Sequence, residues 1–178
     1  YSVEGTHIWT IEYGSPKNDS GWGIAIDSSG YIYVTGETFG NLEGNTNQGG
    51  NDIFLTKIDS NGNRIWTIQY GTTENDKGID IAIDPQDNIY ITGKTGGNLD
   101  GVPNSGLTDI FISRFNTDGT RIWTKLRGSS SNDYAQGITL DPAGNPYITG
   151  NTWGSFDGGT YQGSGDIVIV KYNSNGDW

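Results

Sequence analysis

Residues 52–66 read DIFLTKIDSNGNRIW, and residues 109–123 read DIFISRFNTDGTRIW. Each is an apolar run, then a four-residue turn that opens on Asp or Asn and closes on Gly, then a second run. That turn chemistry suits a tight hairpin, so each stretch predicts two antiparallel strands. Outward from these stretches the same spacing recurs. Trp9, Trp66 and Trp123 lie 57 residues apart, each inside Ile-Trp-Thr. The same offset relates Gly14, Gly71 and Gly128, and also Asp27, Asp84 and Asp141. It relates Gly36, Gly93 and Gly150, and Asp52, Asp109 and Asp166. No insertion breaks the register. A fixed period of this size marks stacked repeat units or a propeller.

Within one copy the pattern predicts four short strands: A over 24–27, B over 31–36, C over 52–58 and D over 64–70. The leading copy of D is 8–13. A and B are joined by Asp27-Ser-Ser-Gly30 and its counterparts at 84–87 and 141–144. C and D are joined by 59–62, 116–119 and 173–176. No segment carries a helical period. Four meandering strands per repeat, without helices, describe a propeller blade. The expected fold is therefore all-β: a β-propeller of three four-stranded antiparallel blades of 57 residues. Residues 1–178 form one partial domain, with 1–14 the outer strand of a split blade, 15–71 blade 1, 72–128 blade 2, and 129–178 blade 3 without its strand D.

The runs GIAIDSSGYIYVTG (23–36) and DIFLTKIDSNGNRIW (52–66) resemble the bacterial β-propeller repeat known as SBBP. The resemblance covers essentially the whole chain. It implies a propeller, commonly seven-bladed, in secreted or cell-surface proteins of bacterial type. It carries no reaction and no catalytic residues. This chain departs from the family in number, with three copies. Propellers close with about four to eight blades, so three predict a ring completed by oligomerisation or by further blades. Tyr1–His7 aligns with Tyr172–Trp178, so the leading strand matches the piece that the last blade lacks. The expected partners are a second copy, giving a homodimer of six blades, or the missing blades of a longer chain.

Composition narrows the function classes. Formal net charge is −11, which disfavours nucleic acid and anionic membranes. There is no Cys, which excludes disulfides and thiolate chemistry. There is no Met, so the chain reads as a processed product or a piece of a longer one. No apolar run reaches the roughly 18 residues that a membrane helix needs. His7 is the only histidine, in a terminal turn, and nothing singles out a pair of acids for hydrolysis. A non-catalytic scaffold for self-assembly and protein interaction is the expectation, with no resident cofactor.

The B–C connections at 37–51, 94–108 and 151–165 are long enough to be functional. They share a face with the D–A connections. Five aromatics fall on that face: Trp22, Phe39, Tyr134, Trp153 and Tyr161. Beside Asn and Asp they would suit glycan stacking, which makes a lectin-like module the alternative. They differ at matched positions, where a specific site on a regular scaffold would be placed. Asp19, Asp76 and Asp133, with Glu43, Asp100 and Asp157 ahead of Gly, are the candidate oxygen ligands for Ca²⁺. The Ile-Trp-Thr tryptophans read as packing, and Asp52, Asp109 and Asp166 as acceptors that lock a loop through backbone N–H groups.

Overall fold

The alternating runs build three antiparallel sheets in a computed structural model that describes residues 5–178. Tyr1–Glu4, the start of the stretch that aligns with Tyr172–Trp178, lie outside the described residues. Blade 1 holds β1 (Asp19–Ile26), β2 (Ile32–Thr38), β3 (Asp52–Ile58) and β4 (Arg64–Tyr70). Blade 2 holds β5 (Asp76–Ile83), β6 (Ile89–Thr95), β7 (Asp109–Phe115) and β8 (Arg121–Arg127). Blade 3 holds β9 (Asp133–Leu140), β10 (Pro146–Thr152) and β11 (Asp166–Lys171). Each sheet is ordered as its strands run along the chain, and the ring is not closed. One short 3₁₀ turn, Leu99–Gly101, interrupts the β structure.

The hairpins form as their residues dictate. Asp27 Oδ1 accepts the N–H groups of Ser29 and Tyr31, at 3.0 and 2.9 Å. Asp84 does the same for Gln86 and Asn88, and Asp141 for Ala143 and Asn145. Asp59 and Asn173 play that part in the C–D hairpins. These carboxylate and amide turns fix the strand register without a helix or a disulfide.

Between blades the core is aliphatic and aromatic. Ile53, Leu55, Tyr33 and Tyr70 of blade 1 share one buried cluster with Ile81, Ile91, Phe111 and Phe115 of blade 2. Ile110, Ile112 and Tyr90 of blade 2 share another with Ala135, Ile148, Val168 and Tyr172 of blade 3. The repeated tryptophans serve packing: Trp66 lies 6.1 Å from the Tyr33 ring and Trp123 lies 6.0 Å from Tyr90.

Two strand expectations are corrected. Strand A runs over Asp19–Ile26, not 24–27, because a bulge between Gly21 and Gly23 hides its first half from an alternation reading. Residues 8–13 carry no strand ladder. A strand needs a hydrogen-bonded neighbour, and the strand C that would pair with this one is not in this chain's first blade. The segment nonetheless lies where a strand D belongs. Trp9 and Ile11 sit on Gly62 of the blade 1 hairpin, as Trp66 and Ile68 sit on Gly119, and as Trp123 sits on Gly176.

Candidate functional site

The face carrying the B–C and D–A connections is stitched from blade to blade by backbone bonds. Gly50 donates to Glu74 O at 3.1 Å and Asp76 to Asn51 O at 2.8 Å. One repeat on, Leu107 donates to Ser131 O and Asp133 to Thr108 O. Asp52, Asp109 and Asp166 each accept a loop N–H, from Gln48 (2.8 Å), Ser105 (2.7 Å) and Gln162 (2.8 Å). The loop-locking role expected of these three is what the geometry shows.

The six candidate metal ligands fall into two sets with different partners. Asp19, Asp76 and Asp133 accept the N–H of Ser15, Thr72 and Ser129. Each also accepts the hydroxyl of that same residue. Glu43, Asp100 and Asp157 have left-handed backbone, with φ of 51, 55 and 49°, and each leads into a Gly. They pair with Arg64, Arg121 and Arg127. Among the described residues no three His, Asp or Glu side chains gather as a metal cluster.

Asp52 and Asp109 are buried at the blade junctions, and their carboxyls are pushed above the usual carboxylate range. Burial is the main cause for both, and the neighbouring charge of Asp76 or Asp133 adds to it. Asp109 Oδ1 meets no donor among the described residues. It lies against Gly128, where a Cβ would come within 2.2 Å of it. A raised folded-state pKa favours the protonated fold. Its contribution is full below the unfolded value near 3.8 and is lost as pH rises through the folded value. Asp109→Asn keeps a carbonyl for the Ser105 N–H and removes the charge facing Asp133. The variant is expected to melt above wild type at pH 7, with the gain shrinking towards pH 3. Thermal melts at the two pH values check this. An Asn variant that melts lower at both would show that the carboxylate itself is required.

The aromatics divide. Trp22 and Tyr134, expected on the loop face, lie instead within β1 and β9, because these strands begin earlier than the sequence suggested, and line one cavity of about 560 Å³ on the inner strands with Lys77, Ile79, Asp80, Lys94 and Gln136. Trp22, Ile79 and Gln136 occupy the same bulge position of β1, β5 and β9, which is why they converge. Trp22 is 55% exposed. Its Nε1 donates to Glu37 Oε1 at 3.2 Å, and Lys77 Nζ stands 3.5 Å above its ring. Lys77 also pairs with Glu37 at 3.1 Å, and Asn51 donates to the other Glu37 oxygen. Lys94 stands 4.7 Å from the Tyr134 ring, and Trp153 lies 5.2 Å from Tyr134. Asp80 Oδ2 accepts the Ile138 N–H from the next blade at 2.9 Å.

Phe39 is exposed and does not line this cavity. Tyr161 lies in a separate groove with Phe156 and Trp178, where its hydroxyl accepts the Gly165 N–H. Sequence reasoning missed Lys77, Lys94, Asp80 and Gln136. The signal that could have found Gln136 was its alignment with Trp22. The arrangement offers flat aromatic surface, two ammonium groups and an amide. Its two carboxylates, Glu37 and Asp80, are both already engaged by donors.

A profile for the SBBP β-propeller repeat matches residues 8–43, 65–100 and 122–157. The regulatory protein FlaEY of Caulobacter vibrioides is 25% identical over 169 residues, covering 84% of this chain and 17% of that protein. An uncharacterized WD repeat-containing protein of Acanthamoeba polyphaga mimivirus is 26% identical over 164 residues, covering 76% of this chain and 12% of the relative. The chain thus spans less than a fifth of the length of either curated relative.

Proposed function

The chain belongs to the SBBP β-propeller repeat family, and from that we propose that it is a non-catalytic scaffold that presents its loop face to a protein partner at the cell surface or outside the cell. One observation carries the reading. The frame residues recur at one fixed spacing, while Phe39, Gly96 and Trp153 differ at matched positions of the presented face. A scaffold with a constant frame and a varied face is suited to recognition. The acidic charge favours a neutral or basic partner. Likeness to a regulatory protein and a WD repeat protein supports the interaction role.

The test places a photo-crosslinking side chain at Trp153 and, as control, at Asp118 on the opposite hairpin end, in cells that produce the protein. A discrete protein adduct from position 153 and none from 118 is expected. Equal or absent labelling at both would sink the reading. The pairing of Tyr134 with Trp153 above the inner cavity favours one second reading, glycan binding. A glycan-array signal that disappears in Trp153→Ala would establish that alternative instead.

A further inference from the structure

The inner strands keep one sequence pattern, and the cavity on them is where that pattern breaks. Its lining residues occupy four matched positions, and all four change from blade to blade. Trp22 stands where Ile79 and Gln136 do, and Lys77 where Ser20 and Tyr134 do. Asp80 stands where Gly23 and Gly137 do, and Lys94 where Glu37 and Asn151 do. Close by, Asp19, Asp76 and Asp133 do not change, nor do Ile24, Ile81 and Ile138. The cavity is centred on the middle blade, whose β5 packs between β1 and β9. Its volume of about 560 Å³ suits a small ligand, for which sites run to about 300–1,000 Å³. From these groups we propose that the cavity binds a sugar that carries one carboxylate. The proposal goes beyond the loop-face reading: its ligand is a small glycan seated on the inner strands, not a protein on the loops.

Lys94 recognises the carboxylate. Its ammonium stands 4.7 Å from the Tyr134 ring and meets no carboxylate or other acceptor among the described residues. Lys77, by contrast, is paired with Glu37 at 3.1 Å. One free ammonium matches one negative charge. A phosphate dianion or a run of acids would face the chain's net charge of −11 with only that cation to offset it. Asp80 recognises hydroxyls. Its two oxygens accept the Ile81 and Ile138 N–H groups, each at 2.9 Å, and each oxygen keeps a lone pair for a ligand. Glycine in the neighbouring blades makes room for it: a Cβ at Gly23 would lie 2.9 Å from Asp80 Cα, and one at Gly137 3.6 Å from its Oδ2. Gln136 is exposed, and its side-chain amide, unbonded among the described residues, adds a donor and an acceptor. Trp22, which is 55% exposed, and Tyr134 offer apolar ring surface to the CH face of a sugar. The matching ligand brings one anionic acceptor, several hydroxyl donors and a flat apolar face. A uronic acid unit has all three, whereas an acidic amino-acid side chain has no hydroxyl.

The experiment titrates the protein by calorimetry with three probes. Cellobiouronate, a glucuronate joined to glucose, is the first. Cellobiose, which lacks only the carboxylate, is the second, and N-acetylglutamate, which lacks the hydroxyls, is the third. Cellobiouronate is expected to bind at least about tenfold more tightly than either of the others, the low end for a hydrogen bond to a charged group. Lys94→Gln is expected to weaken cellobiouronate by at least about tenfold for the same reason and to leave cellobiose unchanged. Lys94→Arg keeps the charge and is expected to bind more tightly than Lys94→Gln. The Lys94 ammonium makes no hydrogen bond or ion pair among the described residues, so circular dichroism of both variants should match wild type. The proposal is overturned if cellobiouronate does not bind, if cellobiose or N-acetylglutamate binds as tightly, or if Lys94→Gln binds cellobiouronate as wild type does. Crosslinking at position 153 detects a protein on the loops, so the scaffold reading stands or falls on its own test.

Discussion

Gly93→Ala is expected to lower stability by at least about 3 kcal/mol, at the top of the range for forcing atoms into a packed interior. A Cβ built at Gly93 would lie 1.8 Å from the Lys77 carbonyl oxygen on β5 and 2.9 Å from the Phe111 ring on β7. The first of these obstacles is backbone, so no rotamer change relieves it. β5 and β6 would have to part where their register already shifts, between Gly78 and Asp80. For a chain of this length the loss corresponds to a drop of roughly 6–12 °C in melting temperature. The displacement also reaches the inner cavity, because Lys77 is the residue pushed. Its ammonium group would leave the Trp22 ring and Glu37, so the tryptophan fluorescence of the folded variant should shift along with its melting curve. Melting within 2–3 °C of wild type, about 1 kcal/mol at this size, would mean that the strands separate more cheaply than this geometry says.

That glycine also shows what a sequence can and cannot disclose. Its recurrence as Gly36, Gly93 and Gly150 was plain, and with the tryptophan and aspartate spacing it announced the blade. The hairpins were legible for a local reason: Asp or Asn followed by Gly three residues later bonds its own backbone, and no distant residue is involved. The extent of β1 was not legible, because Gly21-Trp22-Gly23 has no alternation and the bulge that turns Trp22 inward is a property of the paired strands. The cavity was half legible. Trp22 and Tyr134 were candidates on residue type and matched position. Lys77, Lys94 and Asp80 join them only because consecutive blades stack at a particular angle, which a one-dimensional pattern does not encode. The strand at 8–13 was legible as chemistry and misleading as structure. Its residues are those of a strand D, and they lack the neighbour that makes them one.

The B–C loops hold the other instructive case, and it leads to the second large effect. Their length read as functional, and the acid before Gly drew attention as an oxygen ligand. The residue that organises them is the leucine before that acid. Leu99 is fully buried and belongs to the cluster that holds Tyr70, Phe111 and Phe115. Leu42 is its counterpart in blade 1, and its N–H donates to the Gln69 side chain at 2.9 Å. Gln69 in turn donates to Gly40 O and to Asp52. In blade 3 the position is Phe156, packed against the second cluster. The loop is therefore a plug held by one apolar side chain, and the turn that follows places Asp100 against Arg121 and the Thr124 hydroxyl. Leu99→Ala removes a buried side chain and leaves a cavity, at about 2–5 kcal/mol. It should also raise amide exchange across 97–105, because the loop loses its anchor, while exchange in β6 and β7 changes only as far as global stability does. Leu107→Ala in the same loop is the control. That leucine is 65% exposed, so the expected change is within about 0.5 kcal/mol. If the two variants cost the same, the loop would be held by its backbone bonds, and the varied residues of the presented face could be exchanged without regard to the leucine beneath them.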